Sequence, residues 1–118
     1  MKSSIFLATL VACFALGKAQ AQTVNGVRLS ELKSDYIEIS EVVPVLGSKL
    51  WISLEYGQKP DGNSTTLIKD DNGKNLEFNS LVDGLNKLKG YGYELFQAYS
   101  KNRGAQTDYK YYILKKKQ

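Results

Sequence analysis

Carboxylates are the side chains through which this sequence could catalyse a reaction by acid–base chemistry. The chain has 12 aspartates and glutamates, no histidine and one cysteine, Cys13. Without histidine there is no Ser-His triad, and the usual imidazole ligands of zinc, copper and haem iron are missing. Glycoside hydrolysis needs two carboxylates at a controlled separation in a cleft, and the spacing selects no pair among the candidates, which are Glu38, Glu41, Glu55, Glu77 and Glu94. We therefore predict that the protein is not an enzyme, with a small carboxylate hydrolase as the alternative.

The segment Asp70-Asp71-Asn72-Gly73 groups acidic side chains as a calcium loop does. A loop of the EF-hand type places oxygen ligands at positions 1, 3 and 5 and glycine at position 6. Counting from Asp70, Lys74 and Asn75 occupy the last two of these positions. The Asn-Gly step instead favours a type I′ hairpin turn. We predict a turn here, and we expect no metal and no cofactor in the protein.

Tryptophan and tyrosine supply the remaining binding chemistry. Trp51 is out of phase with Leu50 and Ile52, so a regular strand would turn it to the opposite face of the sheet. Tyr109 and Tyr111 share one face of the last predicted strand. We predict that Trp51, Tyr109 and Tyr111 form a candidate interaction face. This face would be covered by residues 22–34, buried in a homodimer, or used to hold a protein or glycan of the bacterial envelope.

The elements that would position these residues follow from hydrophobic periodicity. Alternation or β-branched composition predicts strands over residues 36–45, 49–56, 66–69, 74–78, 93–99 and 109–115. Ser80 with Asp83 forms a capping box, and Gly90 would end the helix that follows. Gly84 inside that helix should weaken it by about 1 kcal/mol.

One short amphipathic helix cannot bury its apolar stripe alone, so we expect it to lie across a sheet. The predicted fold class is α+β, with two layers: one antiparallel sheet of about four to five strands and one helix packed on one face. Residues 22–118 would form this single domain, with 22–34 as a leading segment and 35–118 as the core.

The N-terminus has the pattern of an export signal. Lys2 precedes an apolar run that is too short to span a bilayer, and Ala19-Gln20-Ala21 matches a signal-peptidase site. We predict cleavage after Ala21. Cys13 also fits a lipobox, but the apolar run continues beyond it, so ordinary cleavage is favoured and membrane attachment is expected only if Cys13 is lipidated.

The lysines of the C-terminus raise the question of nucleic-acid binding. The chain has a net charge of +4, and residues 1–21 contain Lys2 and Lys18, so the excess of positive charge after cleavage is small. Lys115-Lys116-Lys117 is more typical of solvated lysines that protect an edge strand. We therefore predict no nucleic-acid partner.

Part of the sequence also matches a known pattern. The segments are Phe78–Asn86, Gly90–Leu95, Ala98-Tyr99 and Tyr111–Lys117. Over roughly residues 49–117 the chain resembles a family of small uncharacterised exported proteins of Gram-negative gut bacteria, and more distantly a widespread small bacterial domain of unknown function. The resemblance implies a periplasmic, outer-membrane-associated or secreted location, and no catalytic residue.

These observations together favour a non-catalytic binding or assembly module of the bacterial envelope or secreted fraction. Beside the small hydrolase, a purely structural subunit of an envelope complex is a further alternative.

Overall fold

The computed structural model describes residues 22–44, 49–102, 104 and 108–118, and strand residues make up 46% of this part of the chain. The strands form two antiparallel sheets, one of three strands and one of four, accompanied by one helix of seven or more residues. The predicted signal peptide, its cleavage site after Ala21 and Cys13 lie outside the described residues.

The smaller sheet is built largely from the leading segment. It contains β1 (Thr23–Val24), β2 (Val27–Arg28) and β5 (Ile68–Lys69), in the order β2-β1-β5. Asn25 and Gly26 join β1 to β2 with φ angles of 52° and 77°, and two positive φ angles are what a type I′ turn requires. A short 3-10 helix, Leu29–Glu31, follows directly.

The four-stranded sheet, called the main sheet below, contains β3 (Tyr36–Val42), β4 (Trp51–Glu55), β6 (Tyr93–Asn102) and β7 (Asp108–Lys116). Their order is β4-β3-β7-β6. Cross-strand pairs such as Ile39↔Leu54 and Ile37↔Leu114 point to one side, which we call the core face. The opposite side, which carries Glu38, we call the distal face.

Two helices connect these strands. The four-residue α1 (Asn63–Thr66) lies between β4 and β5, and α2 (Leu81–Lys89) precedes β6. The Ser80 cap is confirmed at the start of α2, because its side chain accepts a hydrogen bond from the Asp83 N–H at 3.0 Å. The Asp83 carboxylate accepts from the N–H of Asn79, one residue before the cap, so the second bond of the predicted capping box is shifted by one residue. Gly90 is the C-terminal cap of α2, as the sequence predicted.

Helix α2 packs on the core face at very close range. A Cβ atom added to Gly84 would lie 2.0 Å from Cδ1 of Ile52. Ile52 is buried in the middle of β4. Gly84 therefore permits the helix to approach the sheet, a role that its predicted cost to helix stability did not indicate.

The predicted fold class, a single sheet of four to five strands with one helix layer, is wrong. Val24 of β1 and Ile68 of β5 pair with each other in a separate sheet, and both are buried in the core cluster that also contains Ile37 and Leu54. The reason is that the core face of the main sheet is wider than one nine-residue helix can cover. The small sheet and the leading segment supply the rest of the second layer.

Candidate functional site

The residues predicted as an interaction face, Trp51, Tyr109 and Tyr111, lie on the distal face. Trp51 is paired with Val42, and Tyr111 is paired with Ser40, two residues earlier on the same strand. Paired residues and residues two apart share one side of a sheet. The register therefore places Trp51 on β4 and the two tyrosines on β7, with β3 between them.

The leading segment packs on the other side of the sheet. Its apolar residues Val24, Leu29 and Leu32 belong to the buried cluster that contains Ile37 and Ile39 of the core face. Residues 22–34 thus share the core face with α2, and they are not the cover that one of the three sequence alternatives assigned to the aromatic face.

A groove opens at the end of the distal face where the main sheet divides. The pairing of β3 with β7 ends at Ser40↔Tyr111. Beyond this pair, β3 continues beside β4 to Val42, and the first residues of β7 continue beside β6, where Tyr109 pairs with Lys101. The groove formed between the two halves has a volume of about 680 Å³.

Three parts of the chain line the groove. The main sheet contributes hydroxyl and carboxylate groups from β3 and β4, including Ser40, Ser53 and Glu55. The start of β7 contributes Tyr109 and Tyr111. The segment around α1 contributes the third part, which consists of Pro60, Gly62, Asn63 and Thr66.

The α1 segment is held in place by side-chain hydrogen bonds. The Gln58 amide donates to the carbonyl of Leu54 at 2.9 Å and to that of Thr65 at 3.0 Å, and its oxygen accepts from the Tyr56 N–H at 2.7 Å. The Thr65 hydroxyl accepts from the Asp61 N–H at 2.8 Å. This bonding fixes the segment to the end of β4, although a sequence with Gly57, Pro60 and Gly62 is typical of a mobile loop.

Two glutamates lie directly opposite each other beside the groove. Glu38 of β3 pairs with Glu55 of β4, and Glu55 lines the groove. The Tyr99 hydroxyl donates a hydrogen bond of 2.7 Å to Oε2 of Glu38. This hydrogen bond is the main reason that the pKa of Tyr99 rises to about 12, with desolvation and the negative charge of Glu38 as further causes.

The tyrosines of β6 and β7 form a stack next to these carboxylates. The rings of Tyr99 and Tyr111 are nearly parallel, with centroids 5.1 Å apart. The Lys101 ammonium lies 5.7 Å from the centroid of Tyr99 and 5.6 Å from that of Tyr111. Lys115 lies 5.9 Å from the centroid of Tyr36 on the same face, so the distal face contains at least two cations held against tyrosine rings.

Sequence reasoning named the glutamates but did not find the Glu38–Glu55 pair or the role of Tyr99. These three residues are 17 to 61 positions apart in the chain, and only the register of the four strands β4-β3-β7-β6 brings them together. The useful signal was the alternation of β3, which puts Glu38 and Ser40 on the same side as Tyr36. Alternation alone does not say which residue of β4 faces them.

The other predicted features were placed as follows. Asp70 forms a turn, in which its carboxylate accepts hydrogen bonds from the N–H groups of Asn72 and Lys74 at 2.8 and 2.9 Å. Across the described ranges, no group of three or more His, Cys, Asp or Glu side chains is arranged to hold a metal ion. No helix in this part of the chain has both the length and the apolar character needed to cross a membrane.

Comparisons with known proteins found no matching family model, no matching curated protein and no matching solved structure.

Proposed function

We propose that this protein is a non-catalytic binding module of the bacterial envelope or secreted fraction, and that the groove at the end of the distal face is its binding site. The observation that supports this proposal is the groove itself, with its volume of about 680 Å³. Pockets that hold small ligands have volumes of roughly 300 to 1,000 Å³. The N-terminal export pattern of the sequence supports the location.

The chemistry of the groove suits the capture of a ligand. Tyr109 is 39% exposed and presents a ring together with a polar hydroxyl. Ser40, Ser53 and Glu55 add hydrogen-bonding groups on the neighbouring strands. A few polar groups beside an aromatic surface are what fixes the orientation of a ligand in a site of this size.

The proposal is tested by binding measurements on residues 22–118 with panels of glycans, peptidoglycan fragments and peptides. A ligand of the groove should bind the wild type and be lost, or weakened about tenfold, in Tyr109→Ala. The matched control is Tyr36→Ala, because Tyr36 is 47% exposed on the same face but lies at its other end, beside Phe96. A ligand that Tyr36→Ala weakens and Tyr109→Ala does not would contradict the groove as the site.

Self-association through the same face is measured with Trp51→Ala. If the distal face forms a homodimer, this change should weaken the dimer by roughly 2 kcal/mol or more while the fold stays intact. Sedimentation and thermal melts of the two proteins side by side distinguish the cases. A monomeric wild type combined with a strongly destabilised Trp51→Ala variant would rule out an interaction through Trp51.

The Glu38–Glu55 pair supports a second candidate, a small hydrolase. Directly opposed residues have Cβ atoms about 4.5 to 5.5 Å apart, from which two glutamate side chains can reach the carboxyl separation of about 5 to 5.5 Å that retaining glycosidases use. The same glycan and peptidoglycan panels, assayed for product, test this candidate. If the protein converts one of these substrates and either Glu38→Gln or Glu55→Gln abolishes this turnover, the protein is an enzyme and the binding-module proposal is wrong.

A further inference from the structure

Strand β6 forms an open edge of the main sheet. In the order β4-β3-β7-β6 it has a neighbour on one side, and eight of its ten residues are exposed. The other edge strand, β4, is bridged to Leu67 through Ser53, and Leu50 directly before it is bridged to Phe78. Among the strands of the described residues, none pairs with the outer side of β6. Its outward backbone N–H and C=O groups can therefore receive another strand.

The composition of β6 protects this edge only weakly. The stretch Leu95–Ser100 contains no charged residue, no proline and no glycine, and Phe96 within it is 56% exposed. Strands of this kind on an open edge pair readily with another strand. The sequence assigned edge protection to the C-terminal lysines, but Lys115 and Lys116 lie on β7, which is an inner strand. The edge thus fits a partner that extends the sheet.

The bulge in β6 places two opposite charges on one face. Glu94 and Lys101 are seven residues apart, so a regular strand would turn them to opposite faces. The register of β6 on β7 shifts by one residue between them, and their partners on β7 are six residues apart. Both side chains therefore lie on the distal face. Ala98, whose partner on β7 is midway between theirs, marks the centre of this pattern.

We propose that β6 pairs antiparallel with β6 of a second copy of this chain, about a two-fold axis at Ala98. Glu94 of each copy then lies opposite the partner's Lys101, and the distal faces of the two sheets lie on the same side. The contact of the Lys101 ammonium with the rings of Tyr99 and Tyr111 leaves donors for a carboxylate, because an ammonium has three.

The charge pattern argues for a second copy rather than an unrelated strand. A negative charge at one end of β6 and a positive charge at the other are complementary to the same strand running in the opposite direction. The pairing uses the edge of each sheet that is open, so it closes at a dimer with one eight-stranded sheet. None of the described residues that line the groove belongs to β6. The dimer therefore goes beyond the proposed function and does not depend on it.

Cysteine cross-linking tests the register. The one cysteine of the sequence is Cys13, so a cysteine introduced into residues 22–118 is their sole thiol. In Ala98→Cys the two thiols meet at the axis, with Cα atoms about 4.5 to 5.5 Å apart, which suits a disulfide. Ser100→Cys is the matched control, because this exposed residue shares the face of Ala98 but would lie about 13 Å from its copy along the strands. Under mild oxidation we expect at least about tenfold more covalent dimer from Ala98→Cys.

Charge reversal tests the contact between the copies. In sedimentation velocity on residues 22–118 we expect a dimer for the wild type. Glu94→Lys and Lys101→Glu should each weaken this dimer at least about tenfold, since each sets like charges opposite each other. A mixture of the two variants should restore it, because opposite charges then face each other at both ends, and a folding defect would not be repaired by mixing. Glu77→Lys is the control, with the same change of charge at an exposed residue outside β6.

Each contrary result identifies what is wrong. A wild type that stays monomeric at its highest soluble concentration would overturn the second copy and assign the edge to a strand of another protein. Preferred cross-linking of Ser100→Cys would overturn the register, and failure of the mixture to dimerise would overturn the pairing of Glu94 with Lys101. A dimer that Trp51→Ala weakens and the charge reversals do not would place the interface on the distal face. Ligand binding that depends on Tyr109 tests the groove separately from all of these results.

Discussion

Replacing Gly84 by alanine is the most direct test of how α2 packs on the main sheet. In an isolated helix this change would stabilise by about 1 kcal/mol. In this fold the new Cβ would lie 2.0 Å from Cδ1 of Ile52. Overpacking of a core costs about 1 to 3 kcal/mol, and Cδ1 of the buried Ile52 can turn away only by a change of χ2 within a closely packed core. We therefore expect Gly84→Ala to destabilise the protein by about 1 kcal/mol.

A double-mutant cycle tests whether the contact with Cδ1 of Ile52 causes this destabilisation. Ile52→Val removes Cδ1, and the next atom of residue 52, Cγ1, is 3.5 Å from the Cβ position, which is an ordinary contact. In the Ile52→Val background, Gly84→Ala should therefore stabilise by about 1 kcal/mol, which makes the coupling about 2 kcal/mol. Urea unfolding followed by the fluorescence of Trp51 measures all four proteins, and Asn86→Ala, at an exposed position of α2, controls for helix propensity. If Gly84→Ala stabilises both backgrounds equally, the close approach of helix and sheet is refuted.

Three further predictions concern the core and the distal face. Leu54→Ala should lower the free energy of unfolding by about 2 to 5 kcal/mol, because Leu54 is 0% exposed. Val82→Ala should lower it by less than about 1 kcal/mol, because Val82 is 52% exposed. Chemical denaturation of the two variants measures the difference. The pKa of Tyr99 is raised from 10.0 to about 12, so between these values the folded protein keeps a proton that the unfolded chain loses. The free energy of unfolding should therefore fall as the pH rises through this range. In a spectrophotometric titration, Glu38→Gln should lower the pKa of Tyr99. Glu55→Gln removes a like-charge cross-strand pair, so it should stabilise the ligand-free fold by about 0.2 to 1 kcal/mol. Thermal melts measure this change. Unchanged or lower stability would show that the pair is not repulsive.

The elements of the main sheet were predictable because each has a clear local pattern. Alternation located β4 within residues 49–56, and Ile52 and Leu54 are buried as it predicted. Ser80 and Gly90 marked the two ends of α2 through capping chemistry that involves only neighbouring residues. The buried side of α2 does not follow hydrophobicity alone, because the apolar Val82 is exposed and Gly84 takes the buried position that faces Ile52.

The sequence predicted a strand at β5, within residues 66–69, but it missed the small sheet because the other two strands, β1 and β2, are only two residues long. Strands of this length show no period, so hydrophobic alternation could not reveal them. One local signal was present, since Asn25-Gly26 between Val24 and Val27 is a typical type I′ hairpin turn. The same reasoning was applied to Asn72-Gly73, where Gly73 has a φ of 81° but Asn72 is not among the described residues with positive φ, so the type I′ assignment there is wrong.

Hydrophobic alternation predicted which residues of the candidate site share a face of the sheet, but it did not predict the groove. The sequence could place Trp51, Tyr109 and Tyr111 on a common face, because each strand has a period of two residues. It could not place the groove, which exists because the β3–β7 pairing ends at Ser40 and Tyr111. Where a ladder ends depends on twist and on both neighbouring strands, and these are properties of the assembled sheet.

The Glu38–Glu55 pair is a local conflict within the main sheet. Like charges directly opposite each other in a sheet are unfavourable. A sequence selected for stability alone would not be expected to have two glutamates opposite each other on adjacent strands. Tyr99 donates a hydrogen bond to Glu38, which satisfies part of that carboxylate and leaves Glu55 at the groove. Local conflicts of this kind occur in proteins where function requires them. The conflict therefore supports the proposed binding role of the groove, which Glu55 lines.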